Sequence, residues 1–221
     1  NTSVGNTYAI TNGTSWSAPI VSGIIALMLS ENPCLTNDEI VDILKSQGKY
    51  IGDLHQNKAL YDNDPQKVPK LVDAYQSVLY VRNQISNNTV INNSTVWNSL
   101  QVMNGDIIIE EGGTLTIEST VIMPFDRKII VNRGGKLIVD GGLITSECEH
   151  FWTGIEVHGH ADQPHQSHYV TQIENGNYPV DADDHGVVVI KKGGTIENAH
   201  VGITNVKKNN GAILTHSGGI I

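Results

Sequence analysis

The chain has 221 residues, enough for two modest units, and 39% of them are hydrophobic, an ordinary share for a protein that buries a core. Its 14 basic and 23 acidic residues give a net charge of −9, which argues against the basic footprint of a nucleic-acid binder. No apolar run is long enough to cross a bilayer, and the two cysteines, Cys34 and Cys148, supply no zinc-ligand spacing.

The first predicted element is a helix over about 15–30. From Ile20 to Leu29 the chain is almost wholly apolar, so this helix is expected to be buried on most sides and to anchor its first turn rigidly. Gly13 allows a sharp turn and a close approach to another backbone, and Gly23 allows close packing of a second element. Pro19 is placed near the fourth helical position, where its missing N–H has no partner to lose. The first turn leaves backbone N–H groups free beside the positive end of the helix dipole, an arrangement that favours an oxyanion. Ser15 stands there, and a serine hydroxyl is a poor nucleophile unless a base takes its proton.

The surrounding residues, Asn12-Gly-Thr-Ser-Trp-Ser-Ala-Pro-Ile-Val-Ser-Gly23, resemble the nucleophile segment of subtilisin-like serine proteases. The family pattern Gly-Thr-Ser-x-[Ala/Ser]-x-Pro-x-[Val/Ile]-[Ser/Ala]-Gly is met by Gly13, Thr14, Ser15, Ser17, Pro19, Val21, Ser22 and Gly23. The resemblance implies a serine endopeptidase in which Ser15 is catalytic, acting on peptide or protein substrates. It also implies the triad order Asp…His…Ser, yet only fourteen residues precede Ser15 and all nine histidines, from His55 to His216, follow it. The family's oxyanion asparagine likewise lies well before the serine, so neither Asn6 nor Asn12 takes that role. The expectation is a chain that opens inside a catalytic domain, at Gly5-Asn-Thr-Tyr8, which resembles the strand before the nucleophile, and that is inactive alone.

Thr36-Asn-Asp-Glu39 reads as a capping box opening an amphipathic helix, with Ile40, Val41, Ile43 and Leu44 on its apolar side and Gly48 as its stop. Residues 49–67 are polar and turn-rich. A last helix is predicted over about Val68–Val81, carrying Leu71, Val72, Ala74, Tyr75, Val78 and Leu79, and Leu71-Val-Asp-Ala74 resembles the closing helix of the subtilisin-like domain. The resemblance therefore runs over 1–82, an α/β fragment that is mainly helical here. Residues 83–96, crowded with Asn, Ser and Thr, read as a linker or cap.

Over 97–221 the chain repeats. Asp106-Ile-Ile-Ile-Glu-Glu-Gly-Gly-Thr-Leu-Thr-Ile-Glu118 recurs twenty-two residues later as Lys128-Ile-Ile-Val-Asn-Arg-Gly-Gly-Lys-Leu-Ile-Val-Asp140, and a third copy is read at Gly186–Asn198 with one extra residue before its Gly-Gly. Short apolar strands around a Gly-Gly corner are too small to form a core alone, and they suit parallel strands buried in a stack. That predicts an all-β right-handed parallel β-helix, left incomplete at Ile221. Trp152-Thr-Gly-Ile-Glu-Val-His-Gly159 and Ala199-His-Val-Gly-Ile203 resemble coils of secreted β-helix modules of the Bacteroidetes type, which implies a secreted or cell-surface bacterial protein. Residues 160–184 interrupt the period.

His150, His158, His160, His165 and His168 fall within nineteen residues, but no Cys or carboxylate completes a ligand spacing, and they read as solvated loop histidines. Asp181, Asp183 and Asp184 offer the oxygen ligands calcium takes, yet an exposed acidic loop needs no ion, so no cofactor is assigned. The alternative to the peptidase is a surface adhesion or glycan-binding β-helix with an inactive protease-derived part. A β-helix that cleaves polysaccharide would need carboxylates and bases across successive rungs.

Overall fold

A computed structural model describes residues 2–3, 7–8, 14–50, 70–159, 185–205, 208–209, 212–213 and 221. They fall into two units, Asn1–Gln84 and Ile85–Ile221.

The first unit opens with β1 (Thr2–Ser3) and β2 (Thr7–Tyr8), paired antiparallel. Helix α1 (Thr14–Glu31) follows, then α2 (Asn37–Gln47), β3 (Lys49–Tyr50), β4 (Lys70–Leu71) and α3 (Ala74–Gln84). Ile24 and Met28 of α1 pack with Ile40 and Ile43 of α2 and Val81 of α3 to form the core. The expected burial of α1 on most sides is corrected: Trp16, Ile20 and Leu27 are 46%, 64% and 56% exposed. In this unit α2 and α3 supply the core partners of α1, and they cover only the stripe that carries Ile24 and Met28. Pro19 is the sixth helical residue rather than the fourth, so its missing N–H removes the bond that the carbonyl of Ser15 would accept.

The capping box forms as the sequence requires. The Glu39 amide donates to Thr36 Oγ1 at 3.3 Å, and the Thr36 amide donates to Glu39 Oε2 at 2.8 Å. The Thr36 amide bond, with the Thr36 hydroxyl behind it, holds the Glu39 carboxyl below its ordinary range. A depressed carboxylate contributes stability above its unfolded value and loses it as pH falls through its folded value. Thr36→Ala is expected to cost about 1 kcal/mol in urea denaturation near neutral pH, and less in acid once Glu39 is protonated.

The last helix begins six residues later than predicted. Leu71 lies in β4, 64% exposed, and β4 pairs antiparallel with β3. Asp73 sets the boundary, because its Oδ1 accepts from the Gln76 amide at 3.0 Å while its backbone carbonyl accepts from the Ser77 amide at 3.0 Å.

The second unit is a stack of parallel strands. In chain order they are β5 (Thr89–Ile91), β6 (Ser94–Trp97), β7 (Gln101–Val102), β8 (Ile107–Ile109), β9 (Thr114–Ile117), β10 (Thr120–Met123) and β11 (Lys128–Val131). They continue as β12 (Lys136–Asp140), β13 (Leu143–Ser146), β14 (Trp152–Val157), β15 (Val187–Lys191), β16 (Thr195–Ile196) and β17 (Ala199–Thr204), before a short antiparallel pair, β18 (Lys208–Asn209) and β19 (Ala212–Ile213). Each of three sheets collects every third strand: β5, β8, β11, β14 and β17 form one, β6, β9, β12 and β15 the second, and β7, β10, β13 and β16 the third. Residues 83–96, expected as a linker or cap, contain the end of α3, the strand β5 and the first three residues of β6.

Register follows the repeat. Ile108 pairs with Ile130, Leu115 with Leu137, and Ile117 with Val139. Leu115, Leu137, Ile117 and Val139 are fully buried, while Thr116 and Ile138 face the other way and are half-buried. The third copy is displaced from its expected place. Val187–Lys191 pairs with Lys136–Asp140, after the Gly134-Gly135 corner rather than before it, so Gly193-Gly194 stacks with Gly141-Gly142.

The corners explain their own composition. The first glycines, Gly112, Gly134, Gly141 and Gly193, have φ between +72° and +79°, a region other residues enter at a cost. The second glycine leaves room for the rung before it: a Cβ on Gly142 would lie 2.6 Å from the Ile117 carbonyl oxygen, and one on Gly135 would lie 2.7 Å from that of Ile109. Those oxygens belong to the ladder and cannot move aside. Gly142→Ala is therefore expected to cost roughly 3 kcal/mol or more, against about 1 kcal/mol for Gly141→Ala, whose Cβ would make only an ordinary contact with the Lys192 carbonyl oxygen at 3.6 Å and meet the φ penalty. Thermal unfolding of the two variants side by side checks the order. Trp152, fully buried, ties two rungs together by donating Nε1–H to the Glu197 carbonyl at 2.9 Å.

Candidate active site

Ser15 is the second residue of α1. Thr14, Ser15, Trp16 and Ser17 are all exposed, so the first turn of the helix is open to an incoming group. Backbone N–H groups of that turn have no carbonyl four residues back within the helix, and they point out of its positive end. An eighteen-residue helix holds the turn in place through Ile24 and Met28. The arrangement supplies a hydroxyl, amide donors of the kind an oxyanion needs, and a rigid support. Because Pro19 carries no N–H, it cannot donate the i→i−4 bond to the Ser15 carbonyl.

A serine hydroxyl needs a base, and the described residues of Asn1–Gln84 include no histidine. Gly13, Asn12, Asn6 and His55 lie outside the described residues, as do His160, His165, His168, Asp181, Asp183, Asp184 and His216. Of the remaining matched positions, Ser17, Ser22 and Gly23 are exposed and Val21 is half-buried. No atom comes within 4 Å of the point where a Cβ on Gly23 would sit, so the close packing expected there is not supplied by the described residues.

In the second unit the sequence reading missed one polar cluster. Glu156, on the outward row that continues Ile108 and Ile130, is nearly buried, with Oε2 accepting from Lys128 Nζ at 2.9 Å and Oε1 2.8 Å from His158 Nε2. The Lys128–Glu156 pair has no local signal, because the parallel register brings together residues twenty-eight apart. Among the described residues no group of three or more His, Cys, Asp or Glu side chains is placed to hold a metal ion, and no helix is long and apolar enough to cross a membrane.

Comparison with known proteins locates the similarity in the first unit. The model of the subtilase family matches residues 1–61. The chain is similar to subtilisin of Bacillus pumilus, 46% identical over 48 residues that make up 22% of this chain and 18% of that protein. It is similar to subtilisin E of Bacillus subtilis (strain 168) at 46% over 48 residues, 22% of this chain and 13% of that protein. Serine protease AprX of the same strain is 49% identical over 43 residues, 20% of this chain and 10% of that protein. The chain thus spans less than a fifth of the length of these curated relatives. No solved structure matches it.

Proposed function

We propose that residues 1–82 are the nucleophile-bearing part of a subtilisin-like serine endopeptidase, joined to a right-handed parallel β-helix. The observation that carries this reading is the position of Ser15 in the open first turn of α1, inside the segment that the subtilase family matches. In the proposed reaction Ser15 Oγ attacks a peptide carbonyl while a histidine outside residues 1–221 takes its proton, and an aspartate, also outside, orients that histidine. The Ser15 N–H shares the developing oxyanion with a second donor. The histidine returns its proton to the leaving amine, and water, activated by the same base, then releases the acyl group.

Support for the β-helix is the period of three in the sheets. Each parallel strand returns to its sheet after two others, and such crossovers are right-handed in about 98% of cases. A secreted or cell-surface location in a bacterium goes with this reading, since both halves resemble modules of that setting, and a glycan or surface ligand for the β-helix belongs to it as well.

The test is kinetic. The full-length protein, mixed with an activated ester substrate, is expected to release one equivalent of leaving group in a burst before steady turnover, the mark of an acyl-enzyme. Peptidase activity without a burst and unaffected by serine-directed reagents would contradict the mechanism. Full-length protein with no activity on any peptide would favour the inactive scaffold. The isolated 221-residue chain is expected to show neither burst nor turnover, since without its base Ser15 is an ordinary alcohol.

A further inference from the structure

The outward face of the sheet formed by β5, β8, β11 and β14 breaks its own repeat at one place. Val90, Ile108, Ile130 and Glu156 hold equivalent positions on successive strands, so a carboxylate stands where the two rungs before it carry isoleucine. Glu156 is only 9% exposed, and both its oxygens are engaged, one by Lys128 Nζ at 2.9 Å and the other by His158 Nε2 at 2.8 Å. Taking charges out of water costs so much that a nearly buried ion pair is weak support for stability, and an apolar residue of similar volume often serves as well. Ile108 and Ile130 show that the stack accepts one. A pattern broken without a gain in stability is the mark of a place put to use, and carboxylate, ammonium and imidazole meet here. We propose that this face binds a neutral oligosaccharide lying along the stack, with Glu156, Lys128, Asn132 and His158 as its hydrogen-bonding groups. This gives the glycan ligand of the β-helix a site, and it rests on that part of the proposed function, not on Ser15.

The face is amphipathic in the way a sugar chain is. Its central row, Val90, Ile108 and Ile130, is an apolar strip whose members repeat about every 4.8 Å up the stack. Polar columns flank the strip two residues to either side, roughly 6.6 Å away. On one side Asn88 Oδ1 accepts from the Asp106 amide at 3.0 Å, and Asp106 Oδ1 accepts from the Lys128 amide at 2.9 Å. On the other, Asn132 Nδ2 donates to Glu110 Oε2 at 2.9 Å, and His158 follows on the next rung. Bonds of this kind fix the polar side chains before a ligand arrives, which lowers the ordering cost of binding. A sugar ring has an apolar C–H face and a rim of hydroxyls that both donate and accept. The strip takes the apolar face, the Lys128 ammonium and the Asn132 amide donate to the rim, and the carboxylates accept from it. Charge selects the ligand further, because Asp106, Glu110 and Glu156 face a single lysine and repel an acidic saccharide.

The experiment applies the full-length protein to an array of defined neutral and acidic oligosaccharides, and carries the best-retained neutral one into calorimetry beside a hexalysine peptide. Neutral oligosaccharides are expected to bind, and acidic ones and hexalysine are not. Glu156→Gln is expected to weaken binding about tenfold or more, and Ile108→Thr several-fold by interrupting the strip. Ile138→Thr, on the outward face of another sheet, should leave Kd unchanged. Thermal unfolding identifies the folded variants, and Ile108→Thr decides the matter if Glu156→Gln does not fold. No binding of any neutral oligosaccharide, undiminished binding by the folded variants, an equal loss in Ile138→Thr, or a preference for acidic saccharides or hexalysine would each overturn the proposal. The acyl-enzyme burst read on the same wild-type sample separates the two ideas: a burst without saccharide binding removes only this site, and binding without a burst removes only the nucleophile reading.

Discussion

Ser15→Ala in the full-length protein is expected to lower kcat by a factor of about 10⁶, the scale on which a serine nucleophile assisted by a base outperforms the site without it. The side chain is exposed in the first turn of α1, and the packing of α1 is made by Ile24 and Met28, so removal of one oxygen leaves the fold alone. Thermal unfolding of the variant should match the wild type within a degree or two. KM should move little, because the hydroxyl contributes to the transition state far more than to ground-state binding. A loss of activity accompanied by a large fall in melting temperature would mean that Ser15 acts through structure.

The second large effect lies in the other unit. Leu137 is fully buried, with Leu115 below it and Val188 above it in neighbouring strands. Leu137→Asp places an unpaired carboxylate inside this apolar row and is expected to cost at least about 4 kcal/mol, enough to unfold a marginal stack. Leu137→Ala should cost about 2–5 kcal/mol through the lost transfer energy and the cavity left behind. Ile138, one residue on, faces outward, and Ile138→Thr should cost less than about 1 kcal/mol, since its row already carries Thr116. Urea unfolding followed by circular dichroism ranks the three. Equal effects at 137 and 138 would be incompatible with the alternation.

The parts of the fold that were legible in the sequence are those fixed by contacts close along the chain. The capping box of Thr36 and Glu39 needs only four residues to form, and it forms as read. The Gly-Gly corners were legible because one glycine answers to a local φ and the other to a rung only one turn away. Two of the failures were set by partners distant in sequence. The apolar run from Ile20 to Leu29 says that the helix wants burial, but not how many neighbours supply it, and α2 and α3 supply one side. The third copy, Gly186–Asn198, carries the same Gly-Gly pair as the first two. Gly141-Gly142 offers a second corner with the same chemistry, and only the pairing of β15 with β12 shows which one it matches. The start of α3 was missed because the apolar pattern through Leu71 outweighed Asp73, whose capping bonds end the extended segment. The candidate nucleophile was legible for the opposite reason: Gly13 to Gly23 is a contiguous motif, and α1 begins beside it.

An activated Ser15 hydroxyl is read directly by covalent labelling. The full-length protein is incubated with a serine-directed aryl phosphonate, digested, and the adduct located by mass spectrometry. A single phosphonate adduct on Ser15 is expected, formed in the wild type and absent both from Ser15→Ala and from the isolated 221-residue chain. An adduct on another residue, or labelling that persists undiminished in Ser15→Ala, would contradict it.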